Sequence, residues 1–153
     1  MNKSSYYLYN NIAITTGTLM AMLNSSKSID LAKTALFLPL LLDDSIVSKI
    51  NEKSDYNFEN IVSLNALNIS NYNERYRDML PLLMNALSIL LDMEAISLRK
   101  GVILNLKPNI CDSMLKETDS RRLRAISIAA DRLIKVTQNM DVSKMYFRLN
   151  IEL

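Results

Sequence analysis

The stretch Thr34-Ala-Leu-Phe-Leu-Pro-Leu-Leu-Leu42 decides how this chain is read. From Ala35 to Leu42 apolar side chains fall on every side of a 3.6-residue repeat, the pattern of a central, buried helix rather than a surface one. At nine uncharged residues the run is far shorter than the roughly 18 needed for a membrane span. Pro39 lies inside it, removes a backbone donor and is expected to kink the helix.

Working outward, Asn10 or Asn11 is placed to cap a helix over Ile12 to Leu23, with Ile12, Leu19, Met20 and Leu23 near one face. The serine-rich stretch at 25–28 breaks it. Ser28 then caps the second helix from Ile29, with Asp30 in its first turn, where the helix dipole favours negative charge. Asp43 to Ile50 continues as a looser amphipathic turn, and Phe58 to Leu67 forms a third helix. After a polar connection, Asn73 caps the longest helix, Glu74 to Met93, with apolar residues at spacings of three and four and a bend at Pro81. Ala95–Leu98 and Val102–Leu106 read as two β segments around a glycine-containing turn, ended by Lys107-Pro108-Asn109. A helix from Ser120 or Arg121 to Thr137 follows, with Leu123, Ile126, Ile128, Ala130 and Leu133 supplying core contacts, and a short capped helix runs from Val142 to Leu149. The fold class is mainly α with one small β-hairpin, in a single domain over residues 1–153. Helix pair, long helix and hairpin is the order of a winged-helix domain; a helical bundle with an incidental hairpin fits these elements equally well.

Composition limits the chemistry. With 49% hydrophobic and 22% charged residues, the chain is of the ordinary globular class. Two glycines, Gly17 and Gly101, are too few for an all-β fold and leave no Gly-rich phosphate loop. Histidine is absent, which removes the commonest general base and metal ligand, and a single cysteine cannot build a zinc or iron–sulfur site within the chain. No catalytic site, metal, cofactor or small-molecule substrate is expected. Asp43-Asp44 reads either as half of a magnesium site or as the solvated end of a buried helix, and neighbouring helical residues do not face one way. Cys111 is a small packing residue or a reactive thiol, with no histidine to activate it. The nine methionines, scattered along the chain, read as core filler rather than an adaptable groove. One cysteine and an opening unlike a secretory signal place the protein in the cytoplasm.

Net charge is +2. Arg121-Arg122-Leu123-Arg124 stands at a helix N-terminus, where the dipole disfavours cations unless acids or phosphates compensate. Glu117 and Asp119 would do so locally; a DNA backbone would do it as well. Arg99-Lys100, at the hairpin tip, would follow a nucleic-acid groove as a wing does, or simply be solvated. The tail places Met145, Tyr146, Phe147, Leu149, Ile151 and Leu153 within the last nine residues. Chain ends fray unless held, so this segment docks either on its own core or on a partner. Tyr6, Tyr7 and Tyr9 make an aromatic opening with the same need for cover.

Several of these features fall into a known order. Tyr9-Asn10-Asn11, the run Leu36–Leu42, Asn73-Glu74-Arg75-Tyr76 leading to Leu80-Pro81-Leu82, Asn85-Ala86-Leu87, Ala129-Ala130-Asp131-Arg132-Leu133 and Asp141-Val142-Ser143 span nearly the whole chain. Together they resemble the middle components of bacterial three-component ABC-ATPase systems, including the small third subunit of Lamassu-type antiphage systems. The resemblance implies a non-catalytic subunit bridging an SMC-like ATPase and a nuclease or otherwise toxic effector, and helping the complex engage double-stranded DNA. The chain departs from the family pattern in its late segment, where the usual Gly-aromatic features are missing. A stand-alone winged-helix DNA-binding regulator is the competing reading, although no helix is rich in base-reading side chains.

Overall fold

The computed structural model describes residues 3–52, 57–64 and 71–152, and for residues 3–10 and Leu64 the backbone alone. The side chains of Tyr6, Tyr7 and Tyr9, and all of Leu153, lie outside the described residues, as does the segment 65–70 containing the expected helix end at Leu67. Among the described residues, eight helices and three strands follow one another: α1 Lys3–Ser25, β1 Ser28–Asp30, α2 Leu31–Leu41, α3 Asp44–Glu52, α4 Phe58–Leu64, α5 Tyr72–Asp92, β2 Ile96–Arg99, β3 Val102–Asn105, α6 Pro108–Glu117, α7 Arg121–Thr137 and α8 Val142–Arg148.

The apolar run is the central helix its pattern demands: every residue of α2 from Thr34 to Leu41 is buried. The Thr34 hydroxyl folds back on the Asp30 carbonyl at 3.0 Å, which lets a polar residue be fully enclosed. Pro39 does not end the helix, since the Leu42 N–H still reaches the Leu38 carbonyl at 3.0 Å. The carbonyls at its C-terminal end are taken up by side chains from distant helices. The Tyr72 hydroxyl donates to the Leu36 carbonyl, Arg75 Nη2 to Pro39 at 2.8 Å, and Arg122 Nη2 to Leu42 at 2.9 Å. Asp43 connects α2 to α3. Its Oδ1 caps α3 by accepting from Ser45 N at 2.9 Å and Ile46 N at 3.1 Å, while its Oδ2 pairs with Arg75 Nη1 at 3.0 Å. The far end of α3 is sealed the same way: Arg132 Nη1 donates to the Ile50 and Asn51 carbonyls, each at 2.9 Å.

α1 packs on α5, α6 and α7, and α2 packs on α5. Gly17 sets the spacing between α1 and α7, because a Cβ there would sit 2.8 Å from Leu123 Cδ1. The hairpin is tight: Arg99 pairs with Val102, leaving Lys100 and Gly101 as the turn with φ of 49° and 76°. Two successive positive φ angles define a type I′ turn, which glycine adopts without strain at its second position. β1 adds to β3, giving the antiparallel order β1-β3-β2 with Ile29 opposite Ile103. An early strand laid beside the hairpin is the strand order of a winged helix.

Several boundaries differ from the sequence reading. α1 begins at Lys3 rather than Ile12, because no proline or glycine interrupts residues 3–11 and the asparagines stay helical. Residues 28–30 form β1 instead of the start of α2; Ile29 alternates with exposed Ser28 and Asp30 and fills the space over Ile103. Residues 44–52 make a full helix, and α5 begins at Tyr72, two residues before the expected Glu74. α6 was not foreseen at all: Pro108 opens it at its first turn, and Cys111 and Leu115 bury one side of it. Ile128, expected in the core, is 53% exposed, since α7 buries the stripe Ile126, Ala129, Ala130 and Leu133 and turns residue 128 away from it.

Candidate interaction surface

The sequence singled out three groups, and the fold treats each differently. Arg99 and Lys100 stand exposed at the hairpin turn with no ion pair among the described residues. At the start of α7, Ser120 supplies the cap, its hydroxyl accepting from Leu123 N at 3.2 Å. Arg122 is neutralised from another helix, with Nε 2.8 Å from Asp44 Oδ1, and Arg124 Nη2 donates to the Asp119 carbonyl at 3.3 Å. Arg121 is exposed. Asp43 and Asp44 therefore serve two separate arginines, Arg75 and Arg122, and point apart. Among the described residues, no cluster of three or more His, Cys, Asp or Glu side chains is placed to hold a metal ion.

The C-terminal tail divides. Met145 and Leu149 are committed to the chain's own core. Tyr146 donates to the Ala32 carbonyl at 3.0 Å and meets the Tyr76 hydroxyl at 3.1 Å, with the rings edge to face at a centroid distance of 5.8 Å. Burial and the Tyr76 hydroxyl push the Tyr146 phenol well above its ordinary pKa, and burial does the same to Tyr72. Ile151 is partly buried. Among the described residues of the tail, Phe147 turns outward, 82% exposed beside Lys144 and Arg148.

The surface that sequence reasoning missed is apolar. Of ten exposed large hydrophobic residues among the described ones, eight lie between Met84 and Met114, which concentrates them on the end of α5, the hairpin and α6. Beside them runs an open groove of about 590 Å³ between α1, α5, α6 and the start of α7, lined by Ile12, Gly17, Met20, Ile89, Met93 and Met114 among others. The methionines are thus not only core filler: Met84, Met93 and Met114 are exposed. No local signal marks them, because α5 is apolar on two faces and only packing decides which one α1 and α2 cover. α5 precedes the hairpin, where a winged-helix domain carries its recognition helix, and its exposed positions near the hairpin mix Met84, Ile89 and Leu91 with Asn85, Ser88 and Asp92. Its two arginines lie at the other end; Arg75 is held by Pro39 and Asp43, and Arg77 donates to the Glu152 carbonyl at 3.2 Å. Cys111 is fully buried, and desolvation raises its thiol pKa, which keeps it protonated.

The fold and its surface define a small, mainly helical protein with a short three-stranded sheet and an open apolar groove between α1, α5, α6 and α7. The chain belongs to the family described as ABC-three component (ABC-3C) system Middle Component 3, whose model matches residues 3–153. It is therefore an accessory component of a multi-component system and has protein partners. No curated protein and no solved structure matches it. Among the described residues, no helix is long and apolar enough to cross a membrane.

Proposed function

We propose that this chain is a non-catalytic, cytoplasmic subunit of a Lamassu-type antiphage complex, bridging an SMC-like ATPase and a nuclease or otherwise toxic effector. Family membership over residues 3–153 carries the reading. Two outward apolar features support a bridge in particular: the methionine-lined groove and the lone Phe147 on α8. Contiguous outward apolar surface marks an interaction site more often than a single exposed residue does, so the groove carries more of this support than Phe147. Tyr6, Tyr7, Tyr9 and Leu153 belong to the same proposed partner contacts, whereas Met145 and Leu149 are buried in this chain's own core.

Double-stranded DNA is engaged by the assembled complex, with Arg99, Lys100 and Arg121 as this subunit's phosphate contacts and Arg122 and Arg124 in secondary positions, since both already hold groups of this chain. α5 carries no lysine or arginine after Arg77 and ends on Asp92, which favours this arrangement over a stand-alone regulator that reads bases.

Co-expression with the ATPase and effector genes of the same system tests the bridge. Size exclusion should give one complex containing all three chains, and Phe147→Asp should remove one partner while leaving the fold intact. A well-behaved monomer that co-purifies with neither would refute it. For DNA, Arg99→Ala/Lys100→Ala should lower the salt slope of duplex binding by the complex by about two.

A further inference from the structure

β1 is an edge strand, and its bonds to the sheet come from its odd-numbered residues. The Asn105 N–H reaches the Lys27 carbonyl at 3.0 Å and the Leu31 N–H reaches the Gly101 carbonyl at 2.8 Å, with Ile29 opposite Ile103 between them. By antiparallel alternation, Ser28 and Asp30 turn their N–H and C=O groups to the free edge, and both residues are exposed. The acceptors there are partly spent. The Ser26 hydroxyl donates to the Ser28 carbonyl at 2.6 Å, and the Asp30 carbonyl takes the Thr34 hydroxyl at 3.0 Å. Among the described residues, neither the Ser28 N–H nor the Asp30 N–H has a partner. This edge is one wall of an open cleft of about 290 Å³, whose other wall holds Lys33, Thr137 and Gln138. Lys33 Nζ donates to the Thr137 carbonyl at 3.1 Å, and an ammonium has three donors, so two remain for whatever enters.

We infer that the free edge of β1 receives an extended segment of a partner protein, which enters this cleft and adds a fourth strand to the sheet. Two donors on alternate residues of one edge stand roughly 6.5 Å apart, which is the repeat of the carbonyls along one side of an extended chain. A second copy of β1 is a poorer occupant, since it would bring the same excess of donors over acceptors. The exposed Asp30 carboxylate makes no cap bond and no ion pair among the described residues, and it sets a like charge against a nucleic-acid backbone. This contact rests on the bridging role and gives one of its partners a chemistry, a main chain that offers carbonyls in extended form.

The backbone itself supplies the test. Asp30 has φ −63° and ψ 136°, values that a proline adopts, and its N–H faces away from β3. Asp30→Pro therefore removes one edge donor and keeps the sheet, while Asp30→Ala keeps the donor and removes the carboxylate. In titrations of the full chain against the ATPase and effector chains of the same system, Asp30→Pro should weaken assembly by about tenfold or more, and Asp30→Ala by less than about twofold. Urea midpoints of both variants should stay close to that of the unaltered chain. Hydrogen exchange resolved to single amides gives a second readout. Ser28 and Asp30 should exchange fast in the isolated chain and slowly in the complex, with Asn105, already bonded to Lys27, slow in both. Equal effects of the proline and alanine variants overturn the inference. So does a dimer of the isolated chain that Asp30→Pro dissolves, since a second copy would then hold the edge. A three-component complex that forms while both amides still exchange fast sinks this inference and spares the bridge; failure of the unaltered chain to enter any complex sinks the bridge and this contact with it.

Discussion

Arg75 should be worth far more than an arginine on a helix usually is. Its guanidinium joins three elements: from α5 it holds the Pro39 carbonyl at the end of α2 and the Asp43 carboxylate that caps α3. Replacing it with methionine keeps the aliphatic stem and removes only the polar head. A charged donor lost from a carbonyl costs about 1.5–3 kcal/mol. The Asp43 pair is itself only 25% and 21% exposed, so it keeps about 0.5–1 kcal/mol after screening. Because Asp43 retains its two N–H donors in α3, nothing further is added and the loss should total about 2–4 kcal/mol, or about 4–16 °C in Tm for a chain of this size. Urea unfolding followed by circular dichroism reads it as a lower midpoint with unchanged m value. Arg75→Lys should recover less than half, because one ammonium cannot reach both acceptors in fixed geometry. With Asp43→Asn, a double-mutant cycle should give a coupling of about 0.5–1 kcal/mol. A loss below about 0.5 kcal/mol for Arg75→Met, or a fully rescuing lysine, would mean that water seals the end of α2 and the tertiary cap is incidental.

Other expectations follow from burial. Tyr72 and Tyr146 have phenol pKa values raised above the unfolded value of about 10, so their contribution is complete below that pH. Stability should therefore fall as pH rises past about 10, and Tyr72→Phe and Tyr146→Phe should each remove part of the fall in urea midpoints measured between neutral and alkaline pH. Cys111 should react with a disulfide reagent only as fast as the chain opens, so its labelling rate should rise steeply with added urea; rapid labelling of the native protein would contradict its burial. Ile126→Ala should destabilise by about 2–4 kcal/mol and Ile128→Ala by less than about 0.5 kcal/mol, although the two residues lie on the same helix.

How much was legible depended on whether the signal was local. The unbroken apolar character of Ala35–Leu42 declares a surrounded helix, and Lys100-Gly101 between two β-prone runs declares a tight turn; both appear as read. The bounds of α7 follow from Ser120 and Thr137, and α8 from Asp141, whose carboxylate accepts from Ser143 N at 2.7 Å. β1 was not legible because three residues have no periodicity of their own; only the open side of β3 makes them a strand. α6 was hidden by Pro108, which read as a terminator but is equally at home in a first helical turn. The apolar face on α5 and α6 escaped for a third reason: leucines and methionines on two sides of a helix do not say which side the rest of the chain will cover. The basic clusters were visible as sequence, but their engagement was not, since Arg122 finds Asp44 across 78 positions.

That separation has a consequence for how the protein is made. The helix with the most apolar surface emerges from a ribosome about 80 residues ahead of Arg122 and Arg132, which close the ends of α2 and α3. At synthesis rates of roughly 5–20 residues per second, α2 waits about 4–16 s for them. For about the first 50 residues of that interval its leucines lack α5, throughout it they lack α7, and the nascent chain stays adhesive. A messenger cut short before codon 121 would leave that adhesive state permanent, so partial translation products of this subunit should go to chaperones and proteases rather than to the complex.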